Sequence, residues 1–308
     1  MMKNIAVRSL KNDKEMSEVF RLLKVCFPNM KTSYFKRRIL GDPNYRRKNS
    51  HVLVENGRIV SFVQVYNKDV WYLGKKVKFK GIGAVSTLPD FRGKGYSSAI
   101  MKNIIQTNDC QITGLFTKIP DFYKRFNFSI MPRQKLIIKK RNWKNYHADG
   151  IKIRRFNPYR DIAAVRKIYR NYFNPLAGIL ARRIGDWQSQ LNYFDEDKKL
   201  FLVLEIKNKV VAYVRCKWQK NLPKRLEIVE FASKNKEGKY ILNFITHLFN
   251  NLTVSEIAGY EIFFPTNIFN SPKYSKEIDQ SMMWSVNKTY IHLDKKNNKI
   301  GFLEADGF

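Results

Sequence analysis

The chain has 308 residues, 44% hydrophobic and 14% aromatic, enough for one large or two ordinary domains and too apolar for a disordered tail. Its 58 basic against 26 acidic residues leave a net charge of +32 spread along the whole length, so a solvated basic surface and a polyanionic partner both stay open. Cys26, Cys110 and Cys216 form no CxxC pair, and His51, His147, His247 and His292 share no metal-ligand spacing, which argues against a disulfide framework and against a bound metal.

Met1 to Glu15 lacks the apolar core of a signal peptide. No run approaches the roughly 20 apolar residues that a membrane-spanning helix needs, so a cytoplasmic location is expected. Ile5 to Leu10 reads as a strand and Asp13 to Phe27 as a helix with Met16, Val19, Phe20, Leu22, Leu23 and Cys26 on one stripe. A short helix, Tyr34 to Leu40, stops at the turn Gly41-Asp42-Pro43. Strands His51 to Val54 and Ile59 to Val65 meet across the hairpin signal Glu55-Asn56-Gly57-Arg58. Val77 to Thr87 is a strand, Tyr96 to Gln106 a helix, Gln111 to Thr117 a strand and Asp121 to Phe126 a short helix. Gln134 to Lys139 is expected to close the first sheet.

The second half repeats the opening of this order. Ile151 to Phe156 (strand) and Ile162 to Phe173 (helix) come first. Strands Leu200 to Ile206 and Val210 to Trp218 follow around Lys207-Asn208-Lys209, then a third, Arg225 to Phe231. Tyr240 to Asn250 makes a helix and Ala258 to Phe264 a further strand. The economical reading is an α+β fold duplicated in tandem, each copy a mixed central sheet flanked by helices. The expected units are 1–140 and 150–308, joined by the polar stretch Lys139 to Gly150.

One segment carries chemistry. The strand ending Val85-Ser86-Thr87 is followed by the turn Leu88-Pro89-Asp90-Phe91 and the loop Arg92-Gly93-Lys94-Gly95, which opens directly into the helix at Tyr96-Ser97-Ser98. Gly93 and Gly95 permit a backbone whose successive N–H groups converge on an anion, and no Cβ stands in its way. The helix start adds free amides and the positive end of its dipole. Arg92, Lys94 and the hydroxyls of Ser97 and Ser98 supply charge and further donors. The spacing is not that of a P-loop. A dinucleotide fingerprint would want a glycine at Ser98 and an acid at the end of the next strand, and Gln111 to Thr117 contains none.

Arg92-Gly93-Lys94-Gly95-Tyr96-Ser97 resembles motif A of the GNAT superfamily of N-acetyltransferases, Gln/Arg-x-x-Gly-x-Gly/Ala, with Ser97 in the last small position. Downstream, Tyr123-Lys124-Arg125-Phe126-Asn127-Phe128 resembles its motif B, Tyr-x-x-x-Gly-Phe, with Asn127 in the glycine place. The resemblance covers roughly Ile5 to Lys139. The tandem arrangement is most similar to the Eis-like branch, whose third, sterol-carrier-like domain has no room here.

The resemblance implies two GNAT-like domains, acetyl-CoA as co-substrate and direct transfer to a primary amine of a small molecule, sugar or peptide. Val85, Ser86 and Thr87 would line the pantetheine, Arg92 through Ser98 the diphosphate. Tyr123 would be the general acid. No carboxylate lies between Asp69 and Asp90, so the base is open; Ser86 or Thr87 positioning a water is one answer and His51 another. The C-terminal carboxylate enters the site in Eis-like enzymes, a role not carried over to Phe308. In the second half, Lys234-Asn235-Lys236-Glu237-Gly238-Lys239 lacks the loop pattern, so no acetyl-CoA is expected there. Two alternatives remain: a transferase using an RNA-linked substrate, as Fem-type enzymes do, and a non-catalytic acyl-CoA sensor. An oligomer is compatible with all three.

Overall fold

The computed structural model describes residues 4–107, 109–193, 198–219, 222 and 224–286; Phe308 and His292 lie outside them. The first half runs β1 (Ile5–Ser9), α1 (Asp13–Cys26), α2 (Thr32–Leu40), β2 (Ser50–Glu55), β3 (Arg58–Tyr72), β4 (Lys75–Thr87), α3 (Tyr96–Gln106), β5 (Ile112–Phe116), α4 (Pro120–Lys124), β6 (Ser129–Ile130) and β7 (Arg133–Lys139). The second half runs β8 (Ile151–Arg155), α5 (Pro158–Phe173), α6 (Ile184–Tyr193), β9 (Phe201–Ile206), β10 (Lys209–Trp218), β11 (Arg225–Ser233), α7 (Tyr240–Asn251), β12 (Glu256–Tyr260), α8 (Thr266–Phe269), β13 (Ser275–Asp279) and β14 (Met282–Val286).

Local signals explain most boundaries. Asn12 caps α1 by accepting from the Glu15 amide. Asn157 caps α5 by accepting from the Tyr159 and Arg160 amides, with Pro158 in the first turn, so this helix begins four residues earlier than its apolar stripe suggests. The β2–β3 hairpin turns through Asn56 (φ 50°) and Gly57 (φ 80°), both left-handed as a tight two-residue turn requires.

Two seven-stranded sheets result, ordered β1-β2-β3-β4-β5-β14-β6 and β13-β7-β12-β11-β10-β9-β8. Read from opposite ends the orders correspond strand for strand, and each sheet has one parallel pair, β4 with β5 and β11 with β12. The fold is thus the expected pair of mixed sheets flanked by helices, but the copies exchange a strand. β7 does not close the first sheet: it lies between β12 and β13 in the second, with Ile137 opposite Ala258 and Ser275. β14 takes its place between β5 and β6, with Met283 opposite Leu115 and Ile130. Both strands carry apolar residues on both faces, as interior strands do, and that pattern does not specify which sheet receives them. The change of sheets therefore comes before residue 140 and is reversed near residue 280.

The stretch Asn174 to Lys199, which carries no strong periodic signal, is partly regular. Trp71 and Asp69 on β3 exchange backbone hydrogen bonds with Gly178, Ile179 and Ala181, and α6 follows. Lys68 binds Asp42 and Asp186 at 2.7 Å each, tying α2's end to α6. A shared apolar cluster of Val70, Tyr72, Phe79, Ile112, Ala177, Leu180, Met282 and Trp284 seals the same seam. Among the described residues no helix is long and apolar enough to cross a membrane.

Candidate active site

β4 leaves its parallel neighbour early. Phe79 to Ile82 pair with Ile112 to Leu115, and beyond Ile82 only β3 accompanies β4 among the described residues. Between Gly83 and Ser86, β4 carries two residues, Ala84 and Val85, against the single Val63 of β3, and Ala84 is left-handed at φ 51°. This bulge bends the strand away from β5 and opens a wedge along the backbone of Gly83 to Thr87. The Ser86 hydroxyl donates to the Ala84 carbonyl at 3.0 Å and so braces the bulge from a buried position.

The loop after β4 has the geometry its glycines allow. Gly93 (φ 77°) and Gly95 (φ 76°) are both left-handed, and a methyl group built on either would meet no atom within 4 Å. Among the described residues no hydrogen bond takes up the N–H groups of Gly93, Lys94, Gly95, Tyr96, Ser97 and Ser98. Six successive donors thus stand without a partner at the start of α3, beside open space at Gly93 and Gly95, where an anion also gains from the helix dipole.

The side chains divide the work differently from the expectation. The Ser97 hydroxyl is not presented to the loop's open face; it lies 2.6 Å from the Thr87 hydroxyl, in a cluster with Ser61 that fastens α3 to the ends of β3 and β4. Tyr96 turns inward and donates to Glu55 at 2.7 Å, anchoring the helix start to β2. The Arg92 side chain folds back and donates through Nε to the Thr87 carbonyl at 3.3 Å, which also accepts from the Cys26 thiol. Burial raises that thiol's pKa. Lys94 and Arg58 stack against the Phe91 ring at 4.8 and 5.5 Å, placing two cations beside the free amides. Arg58, Ser61 and Glu55 escaped sequence reasoning. Only Ser61, a polar residue inside the apolar run of β3, gave a signal.

Tyr123, on α4, is 6% exposed and packs in one apolar cluster with Ile82, Tyr96 and Met283, at whose edge lies Val85. Burial alone pushes its pKa up to about 12, and among the described residues its hydroxyl has no hydrogen-bond partner. It therefore holds its proton at neutral pH. Asn127, which ends this turn, is left-handed at φ 63°, as a residue replacing glycine there must be. His51 stands apart, lining a cavity of about 790 Å³ with Lys80, Lys48 and Arg46. Burial and Lys80 lower its pKa to about 4.

Among the described residues the second sheet has no comparable opening. β11 also continues past its parallel partner, after Ile228, but it is buried throughout. Its following loop is filled: a methyl on Gly238 would meet Pro265 at 3.2 Å. Glu230 within β11 binds Arg182, Arg215 and the Tyr213 hydroxyl in a closed polar network.

A family model described as an acetyltransferase (GNAT) domain matches residues 6–131. Among curated proteins none matches the sequence. Solved structures share the fold. A conserved protein of Enterococcus faecalis V583, a probable N-acyltransferase, is 20% identical with a TM-score of 0.74 over 92% of this chain and 73% of its own. A GCN5-related N-acetyltransferase of Anabaena variabilis is 14% identical, with a TM-score of 0.72 over 92% and 73%. Eis1 of Mycobacterium abscessus is 13% identical, with a TM-score of 0.65 over the same shares. Residues 6–131 thus match the acetyltransferase (GNAT) domain, and the fold of the whole chain, two mixed sheets flanked by helices, is similar to that of these N-acetyltransferase structures, Eis1 among them.

Proposed function

We propose that this chain transfers an acetyl group from acetyl-CoA directly to a primary amine within a ternary complex. The observation that carries the reading is the run of free amides from Gly93 to Ser98, set on open space at the end of a splayed strand. A diphosphate would accept from that run, with Arg58 and Lys94 supplying charge beside it. The pantetheine would lie in the wedge between β4 and β5. The thioester carbonyl would accept from main-chain N–H groups along Gly83 to Thr87, where negative charge grows as the tetrahedral intermediate forms.

In this reading the amine nitrogen attacks the carbonyl carbon, the C–S bond breaks, and Tyr123 gives its proton to the departing sulfur. The proton lost by the amine passes to water. Ser86, through Ala84, shapes the wedge. Residues 1–140 supply the site and the second half completes it with β14 and shapes access for a small-molecule, sugar or peptide amine. A thiol-release assay over such amines tests the proposal. Turnover that is lost in Tyr123→Phe while acetyl-CoA binding persists supports it; equal turnover by the variant with every accepted amine sinks the assignment.

A further inference from the structure

A second opening lies far from the amide cradle. Where the β3–β4 hairpin meets α5 and the segment entering α6, a cavity of about 700 Å³ is lined by Trp71, Lys76, Arg166, Lys167, Arg170 and Arg183, with no carboxylate in its wall among the described residues. Lys76 and Val85 are nine residues apart on β4, so about 30 Å of strand separates this cavity from the splay.

Four of the six basic residues in its wall, Lys76, Arg166, Lys167 and Arg170, have no ion pair among the described residues. Arg182, at the cavity's floor, is committed to Glu230 and stacks on Tyr169 and Trp187. Arg183 binds Asn44 and reaches Asp186 only at 3.9 Å. Lys76 sits 5.3 Å above the Trp71 ring. Arg166, Lys167 and Arg170 fall at i, i+1 and i+4 on α5, hence on neighbouring positions of one helix face. In the same wall, the buried Trp71 indole N–H has no hydrogen-bond partner. Like charges gathered without a counter-charge repel one another, and an anion between them removes that cost.

We propose that this seam binds a run of phosphates, either the phosphodiester backbone of a single strand or a free oligophosphate. Three unpaired cations plus Lys76 exceed what one phosphate needs, and guanidinium groups meet phosphate oxygens in pairs. The inference does not depend on the transferase reading, because neither the amide cradle nor Tyr123 takes part.

The test uses the full chain and two probes, a fluorescein-labelled RNA of about a dozen nucleotides and inorganic tripolyphosphate as competitor. Arg166→Gln with Arg170→Gln should weaken RNA binding at least tenfold. It should also flatten the plot of log affinity against log salt by about 1.4, or 0.7 for each lost contact to a single strand. Lys14→Gln with Lys209→Gln, an equal charge change at exposed positions elsewhere, should leave both nearly unchanged. Displacement of the RNA by tripolyphosphate at equal phosphate concentration assigns the site to free oligophosphates; failure to displace assigns it to the polymer backbone. Equal losses in the two double variants, or no binding of either probe at millimolar concentration in low salt, overturn the proposal.

Discussion

Replacing Gly95 with alanine separates what the loop costs the fold from what it gives the ligand. At φ 76° an L-residue is strained by about 1–2 kcal/mol, and with no atom within 4 Å of the new methyl no clash adds to this. At roughly 2.1 cal/mol/K of unfolding entropy per residue, a chain of this length should melt about 2–3 °C lower. The methyl, however, enters the space a diphosphate would fill and disturbs the aim of the neighbouring amides. Acetyl-CoA affinity should fall at least tenfold, or about 1.4 kcal/mol. Gly150→Ala is the matched control. Its φ is 72°, its surroundings are equally open, and it lies outside the loop. Calorimetric melting should find the two variants alike, while titration with acetyl-CoA should find only Gly95→Ala impaired. Unchanged affinity in Gly95→Ala, or equal loss in both, would refute the cradle.

Other consequences are as direct. Tyr123→Phe removes a hydroxyl that has no partner among the described residues, so the melting temperature should hold while kcat drops about 100-fold at constant acetyl-CoA affinity. With that pKa pushed up to about 12, activity should show no loss of a tyrosine proton near pH 10. Above pH 10 the unfolded chain releases this proton first, so Tyr123 makes stability decline between pH 10 and 12, a contribution the Phe variant lacks in alkaline denaturant titrations. Lys68→Met leaves Asp42 and Asp186, both nearly fully buried, without their cation and should cost about 3–5 kcal/mol by urea denaturation; adding Asp42→Asn and Asp186→Asn should recover much of it. His51 ionises at about 4 in the fold and near 6.5 when unfolded, so its stabilising contribution is complete above pH 6.5 and lost as pH falls toward 4. His51→Gln should flatten stability across that window.

Periodicity and turn chemistry made much of this fold legible. The stripe from Met16 to Leu23, the Asn56-Gly57 turn and the Gly93–Gly95 loop each encode their conformation locally, and α3 and β7 fall within a residue of the expected bounds. Partner choice is not local. Leu136, Ile137 and Ile138 announce a buried strand, yet burial is the same reward in either sheet, so the exchange left no trace in the pattern. Ser275–Asp279 is an edge strand with mostly exposed side chains and lacks an apolar signature. The α6 region, Ile-Gly-Asp-Trp-Gln-Ser-Gln, is polar because Asp186, Ser189 and Gln190 spend their groups on Lys68, the Gly41 carbonyl and Arg215. The site shows the same division: backbone roles followed from glycine positions, whereas Ser97 and Tyr96 acquired their partners, Thr87 and Glu55, only through tertiary packing.

The loan of β14 to the first sheet sets a timetable for synthesis. The free edge of β5 leaves the ribosome with Phe116, but its neighbour is not complete until Val286, and at 5–20 residues per second that is a wait of roughly 10–30 s. Throughout it the edge of β5 facing away from β4 is an apolar, unpaired margin open to chaperones or to a neighbouring nascent chain. Chains stalled short of Met282 should be cut by protease around β5 and protected once Val286 has emerged, so the sheet carrying the glycine loop stays incomplete until then.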